Sequence, residues 1–321
     1  MTAAVTVDLS GGQMGGAARY RAELSSYLER RSPPGVSLIG ASRRLSPAWL
    51  AAREAAAARH GRRIALNNVG FLTPGGQRWT LLVNALHFVA PSEAAALEPS
   101  LRTLMSRQSM IVHRAARRSD VLIAPTTSMA ERIVTVLPDV ANRLVVRMHP
   151  VSAIPLRPGK AGTLILCPVL FAPYKQMAER IGDWLAAVDD VLDDSVRLLV
   201  TASPAQVPAP LAASPRLHFV GSFSAAQIGA LWARCRAVFF PTSLESFGCP
   251  LAEARVNGQP VIAVDSPQNR EIAGPALRGY TLGDRDSLLH ATEAALAADI
   301  APDPAPFDPD AYFDWMLGAD R

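Results

Sequence analysis

The chain has 321 residues, of which 49% are hydrophobic and 19% charged, and a net charge of +4. That length suits about two domains of ordinary size with full cores. The same composition argues against a membrane protein, a disordered chain or a disulfide scaffold: no apolar run approaches the ~18 residues of a span, and three widely spaced cysteines give no metal-ligand spacing and fit a reduced cytoplasm.

The N-terminus, "MTAAVTVDLSGG", lacks the basic and then apolar regions of a signal peptide. Of the 32 basic residues 30 are arginine, so the two lysines, Lys160 and Lys175, stand out. Arginine pairs at Arg43-Arg44, Arg62-Arg63 and Arg117-Arg118 are candidates for contact with anionic lipid or an anionic ligand, solvated surface being the alternative. No basic and aromatic interleaving of the kind that reads nucleic acid is present.

In chain order, "AAVTVDL" is a β-prone run. A glycine-rich turn, "SGGQMGG", leads to an amphipathic helix beginning near Gly16. "GVSLIGA" and "RRIALNN" read as strands, with an Ala-rich helix over 48–60 between them. "WTLLVNALHFVAP" reads as a strong apolar strand ending at His87. A helix over 97–118 precedes the buried strand "DVLIAPT", a short helix entered through Ser128, and the strand "RLVVRMHPV". Alternation of this kind implies parallel strands joined by right-handed crossovers. Residues 152–163 are rich in Pro and Gly and read as a linker.

The plan then repeats. "TLILCPV", "VRLLVTAS", "RLHFVGSF", "AVFFPTS" and "PVIAVD" are strands. Helices are expected over "YKQMAERIGDWLAAVDDVL", over "SAAQIGALWARC" with Ser224 as N-cap, and over "PLAEARVNG" with Pro250 first and Gly258 last. A helix "DAYFDWML" closes the chain. The predicted fold class is therefore α/β, with two Rossmann-like halves facing a central cleft, the default ligand site for such a pair. The expected boundaries are 1–152, 153–304 and a C-terminal segment over 305–321.

The stretch "PTSLESFGCPLAEARVNGQPVIA" carries the functional reading. It puts Glu245 and Glu253 on either side of a Gly-containing turn, beyond a buried strand and at a helix start. In an open parallel sheet ligands sit outside the carboxyl ends of the strands. A helix N-terminus there favours an anion such as a diphosphate, and Gly248 permits close backbone approach. A carboxylate, with two acceptor oxygens, suits the vicinal hydroxyls of a ribose or a sugar. The structural alternative is that Glu253 merely compensates the helix dipole and Glu245 is loop surface.

"ESFGCPLAEA", followed by "GQPVIA" and "NREIAG", closely resembles the Glu-x7-Glu signature of retaining glycosyltransferases of family 4, which have the two-domain GT-B fold. "GGQMGGAARYRAEL" resembles that family's glycine-rich loop, "RRSDVLIAPTTSMAERI" its "ADxVIxxS" segment, and "FDW" its C-terminal helix, which crosses back to the first domain. The resemblance implies a nucleoside-diphosphate sugar as donor, a hydroxyl-bearing acceptor shaped by the first half, and no cofactor. It implies that Glu253 meets the ribose and Glu245 the donor sugar. Phe247, Gly248 and Cys249 would flank the sugar or β-phosphate, Gly15 and Gly16 the diphosphate. Lys175, in "APYKQ", would neutralise the leaving group, and His87 aligns with a cleft histidine, a structural role being the other reading.

Two departures matter. Where the family carries a Gly-Arg pair before the lysine, this chain has Pro168 and Val169; Arg270 is the nearest substitute by motif. His149, in "HPV", stands where the family tends to read Asn-Gly-Val. No metal-binding Asp-x-Asp stands in the cleft region, so metal-independent transfer is expected. Alternatives are a catalytically weak nucleotide-sugar-binding partner protein or a GT-B nucleotide-sugar epimerase. The expected setting is cytoplasmic, with peripheral contact to an anionic membrane as a candidate.

Overall fold

The computed structural model of the chain describes residues 4–12, 15–57, 60–154, 162–168, 171–221, 225–242 and 244–318. The chain divides into two units. One comprises Met1–Pro150, Glu245–Phe247 and Asp308–Arg321, the other Val151–Leu244 and Gly248–Phe307. Most of the stretch read as a linker, together with Lys160, Val169 and the expected cap Ser224, lies outside the described residues.

The first unit is built on six parallel strands, β1 (Val5–Asp8), β2 (Val36–Ile39), β3 (Arg62–Ala65), β4 (Gln77–Leu81), β5 (Val121–Ala124) and β6 (Leu144–Val146), in the order β2-β1-β3-β4-β5-β6. The crossovers are α1 (Gly15–Arg31), α2 (Pro47–Ala56), α3 (Pro91–Ala95), α4 (Pro99–Arg118) and α5 (Thr127–Val136). Short runs such as "VTVD" and "VLIA" are almost wholly buried, as strands covered on both faces must be.

Local polar chemistry moves several predicted boundaries. The strand expected to reach His87 stops at Leu81. Beyond it the Asn68 side-chain oxygen accepts from the Val83 and Asn84 amides, at 2.6 and 3.1 Å. Asn84 in turn caps a 3-10 turn, Ala85–Phe88, by accepting from the Leu86 amide, and His87 lies on that turn. Two side-chain amides thus take the backbone out of the ladder. Helix α5 is capped by Thr126, which accepts from the Met129 amide at 3.1 Å, and not by Ser128. The helix expected over 97–118 starts at Pro99, the favoured first-turn place for proline.

The second unit holds β7 (Leu164–Cys167), β8 (Arg197–Val200), β9 (Leu217–Phe219), β10 (Ala237–Phe240), β11 (Val261–Val264) and β12 (Leu277–Tyr280), all parallel, in the order β12-β11-β10-β7-β8-β9. Counted within the unit this is the 3-2-1-4-5-6 Rossmann order. Its helices are α6 (Met177–Val188), α7 (Ala209–Ala212), α8 (Ala225–Arg234), α9 (Cys249–Val256), α10 (Pro267–Ala273) and α11 (Arg285–Ala297). Trp184, Ile181 and Val188 of α6 and Leu288 and Ala295 of α11 cover one sheet face. Strand β12 and helix α11 are absent from the sequence-based reading. "LRGY" is too short and too polar to announce a strand, and β12 exists because β11 offers it an edge.

The last helix, α12 (Pro309–Leu317), is capped by Asp308 and packs on α1 of the first unit. Tyr27 donates to Asp314 at 2.5 Å, Tyr20 lies edge-on to Tyr312 and Phe313, and Arg30 and Arg31 share Asp310. Among the described residues no helix is long and apolar enough to cross a membrane.

Candidate active site

In the second unit, β7 and β10 are hydrogen-bonded neighbours, with Ala237 opposite Ile165 and Val238 opposite Leu166. The chain leaves these two strands in opposite directions along the sheet. That is the topological switch point, where open α/β sheets bind ligands beyond the strand ends. The segments leading from β7 to α6 and from β10 to α9 therefore rise from the same edge.

Helix α9 opens through Gly248, whose φ of 85° and ψ of 65° lie in the left-handed region. A Cβ here would stand 3.1 Å from Leu251 Cδ1 and 3.2 Å from Phe240 Cε1, so any other residue would adopt a strained backbone conformation and press on two neighbouring side chains. Gly248 brings no side chain to cap the first turn, and Cys249 follows, partly exposed, as the first helical residue. Glu253 is one turn in and only 5% exposed, which is unusual for a carboxylate. The helix is anchored at its far end: Arg255 pairs with Asp303 at 2.7 Å, and Asn257 donates to the Glu253 carbonyl while accepting from the Ile154 amide.

Lys175 ends a 3-10 turn, Pro173–Lys175, on the path from β7 to α6, with its amide bonded to the Ala172 carbonyl at 2.9 Å. The next residue, Gln176, is the N-cap of α6 and sits at φ 51°, ψ 36° although it is not glycine. Non-glycine residues in this region carry strain of order 1 kcal/mol, and such residues cluster at functional sites. Arg270, on α10, grips Asp265 with a two-pronged pair, both distances 2.6 Å, at an exposed position. Its guanidinium is thus already committed to a carboxylate, which accounts for its place without any anionic ligand.

In the first unit, Gly15 and Gly16 open α1, Gly15 at φ 60°. The loop before them is set by a buried network at the end of β1. Asp8, fully buried, accepts from Ser10 N and Oγ at 2.9 and 3.0 Å, from Asn67 at 3.0 Å and from Arg53 at 2.5 Å. Arg53, also buried, donates onward to the Val69 and Gly70 carbonyls at 2.7 Å and lies over the Phe71 ring. Arg21 ties the Gly11 and Ala41 carbonyls together. Sequence reasoning passed over this network; its one signal is an aspartate ending an apolar strand just before the glycine-rich turn.

His87 is buried, and both of its ring nitrogens have partners: Nδ1 is 3.2 Å from Ser109 Oγ and Nε2 is 3.4 Å from Asn84 Nδ2. Its carbonyl accepts from His113 at 2.7 Å. Burial first, and then the neighbouring His113, lower its pKa to about 4. Of the Glu-x7-Glu stretch, Glu245 and Phe247 are counted with this unit. Phe247 is buried with its ring 4.8 Å from His149, Ser246 Oγ donates to the Val83 carbonyl at 2.6 Å, and Thr126 donates to the Ser246 carbonyl at 3.3 Å. Glu245, the residue before these anchors, is half-buried. Burial pushes the His149 pKa down to about 3, so the imidazole facing Phe247 is neutral.

Residues 211–299 match the family model described as Glycosyl transferases group 1. The whole chain is similar in structure to WaaG, a glycosyltransferase involved in lipopolysaccharide biosynthesis, at 16% identity and a TM-score of 0.67, over 98% of this chain and 100% of that one. It is also similar to sucrose-phosphate synthase from Thermosynechococcus elongatus, at 14% identity and a TM-score of 0.64, over 98% and 94% of the two chains. A glycosyltransferase from Rickettsia africae ESF-5 aligns at 12% identity and a TM-score of 0.62, over 99% and 96%. A search of curated protein sequences returns no match. The fold is GT-B. Together with the group 1 match, these likenesses support a glycosyltransferase.

Within this GT-B chain the group 1 segment contains Glu245, Phe247, Gly248, Cys249, Glu253 and Arg270, while Lys175 precedes it. The second unit brings Lys175, Gly248, Cys249 and Glu253 to its switch-point edge and leaves Arg270 on the next helix along. Gly15, Gly16, His87, Glu245 and Phe247 belong to the first unit.

Proposed function

We propose that the protein is a retaining, metal-independent glycosyltransferase that moves a sugar from a nucleoside-diphosphate donor to a hydroxyl of its acceptor. The observation that carries this reading is the buried carboxylate Glu253 on a glycine-opened helix beside the strand that leads to Lys175. A diphosphate suits the N-terminus of α9 and a lysine ammonium. The hydroxyl pair of a ribose suits a carboxylate with two acceptor oxygens. Glu245 takes the hydroxyls of the donor sugar, with Phe247 and Cys249 beside it. His87, neutral and bonded through both nitrogens, holds the Asn84 turn in place and takes no part in proton transfer.

In this reading the bond between the anomeric carbon and the phosphate oxygen breaks with its electron pair on the diphosphate. The acceptor oxygen forms the new bond on the same face, and its proton passes to the departing phosphate. Charge grows on the leaving group, so a fixed cation stabilises the transition state by several kcal/mol. Three free cysteines suit a reduced, cytoplasmic setting.

A second reading, donor binding with weak turnover, is favoured by Pro168 and Val169 at the places of a Gly-Arg pair and by the engagement of Arg270 with Asp265. The two separate in one set of measurements. Melting temperature is recorded with UDP, GDP, dTDP and their sugars, since a ligand of the native state raises it by mass action. Nucleoside diphosphate release is then followed with the donor that binds. Lys175→Ala is expected to lower kcat about 100-fold or more, and Glu245→Ala to abolish turnover with nucleoside diphosphate binding kept. Unchanged turnover in Lys175→Ala would refute the transfer mechanism, and binding without release would favour the second reading.

A further inference from the structure

Just beyond β3 stand two consecutive asparagines that serve different loops. Asn67 turns to the loop after β1. Its Nδ2 donates to Asp8 Oδ2 at 3.0 Å, to Ser10 Oγ at 2.9 Å and to the Ser10 carbonyl at 3.2 Å, while its Oδ1 accepts from the Val69 amide at 3.2 Å. Asn68 turns to the loop after β4. It is buried, its backbone lies in the left-handed region at φ 67°, and its amide donates to the Leu81 carbonyl at 3.1 Å. Its Oδ1 accepts from the amides of both Val83 and Asn84. Asparagine is one of the few side chains that tolerate this backbone, and the locked Asn67 before it gives it a firm base.

The Asn84 amide and the Val83 carbonyl belong to one planar peptide group. Its N–H is held by Asn68 at 3.1 Å, and its carbonyl accepts from Ser246 Oγ at 2.6 Å. Because the group is planar, fixing the direction of the N–H also fixes the direction of the carbonyl. The two bonds polarise each other through the amide. Ser246 follows Glu245 in the chain, and its own carbonyl accepts from Thr126 at 3.3 Å. A line of hydrogen bonds therefore runs from Asn68 through one peptide to the neighbour of Glu245.

We infer that Asn68 is a positioning residue for sugar transfer: it sets the plane of the Val83–Asn84 peptide, whose carbonyl holds Ser246 and so the adjoining Glu245. The inference rests on the transferase reading, in which Glu245 takes the hydroxyls of the donor sugar. Asn68 acts through these hydrogen bonds and not on the substrate itself. Without its oxygen the peptide is free to rotate, and the carbonyl turns away from Ser246. A carboxylate displaced by about 1 Å in this way costs up to about 100-fold in rate.

Steady-state kinetics of the full chain with the donor that binds, measured beside the affinity for its nucleoside diphosphate, tests it. Asn68→Gly keeps the left-handed turn and removes the acceptor oxygen. Its kcat is expected to fall about 10- to 100-fold. Its nucleoside diphosphate Kd should stay at the parent value, because Glu245 meets the sugar and not the nucleotide. Asn68→Asp returns an acceptor oxygen to the same place on a side chain that tolerates the same backbone, and should recover most of the lost kcat. Ser246→Ala breaks the other end of the line and should lower kcat with Kd kept. Adding Asn68→Gly to it should cost nothing further, since both act through one peptide. In a parent whose turnover Glu245→Ala abolishes, a parental kcat in Asn68→Gly, an equal loss in Asn68→Asp, a Kd that rises as kcat falls, or additive losses in the double variant would overturn the inference alone. A parental kcat in Ser246→Ala would do so even if Asn68→Gly fails to fold. A parent without turnover, or one that Glu245→Ala leaves unchanged, would overturn the transferase reading and this inference with it.

Discussion

Replacing Arg53 by Met removes one half of a pair in which neither partner sees water: Arg53 is 1% exposed and Asp8 0%. The methionine fills much of the same volume, so the cost is electrostatic and not a cavity. Asp8 keeps the two Ser10 donors and Asn67, but its charge stays buried without a cation. The Val69 and Gly70 carbonyls also lose their donor. Breaking a buried pair in this way costs about 3–5 kcal/mol. For a body the size of the first unit, each kcal/mol lowers the melting temperature by about 2–4 °C, so a fall of about 10 °C is expected in that unit's transition. Adding Asp8→Asn removes the stranded charge and should restore a good part of the loss. Calorimetry of the parent, both single variants and the double variant measures the coupling directly. A loss below about 1 kcal/mol for Arg53→Met, or strict additivity in the double variant, would refute the claim that this pair fixes the end of β1 and the glycine-rich loop after it.

Two further outcomes follow from the geometry. Gly248→Ala forces a Cβ into the left-handed region against Leu251 and Phe240; a loss of about 2 kcal/mol is expected, with donor affinity weakened tenfold or more, and a variant of parental stability and affinity would show the turn to be dispensable. His87 has a folded pKa of about 4 against 6.5 when free, so the unfolded chain takes up the proton first as pH falls. Stability is therefore intact above about pH 6.5 and lost progressively down to about pH 4, by ~3 kcal/mol in all. Urea titrations across that window should show the slope, with His149 adding in the same direction from its pKa of about 3, and His87→Asn should flatten part of it.

The amino-acid order by itself determined whatever is decided within a few neighbouring residues. Apolar runs separated by amphipathic segments place most of the strands and helices. Gly248, with its left-handed backbone, and Glu253 one turn beyond it are both legible, because a helix start and its spacing are local properties. Lys175 stood out by the rarity of lysine in an arginine-rich chain. Tertiary structure decided the rest. Strand β12 forms only because β11 presents an edge. His87 lies on a turn and not on a strand because Asn68 and Asn84 capture backbone amides there. Asp8 and Arg53 are 45 residues apart in the chain and became a buried pair only when α2 packed over β1. The fate of Arg270 rested on the reach of Asp265. Each depends on where distant side chains come to rest, and local periodicity carries no record of that.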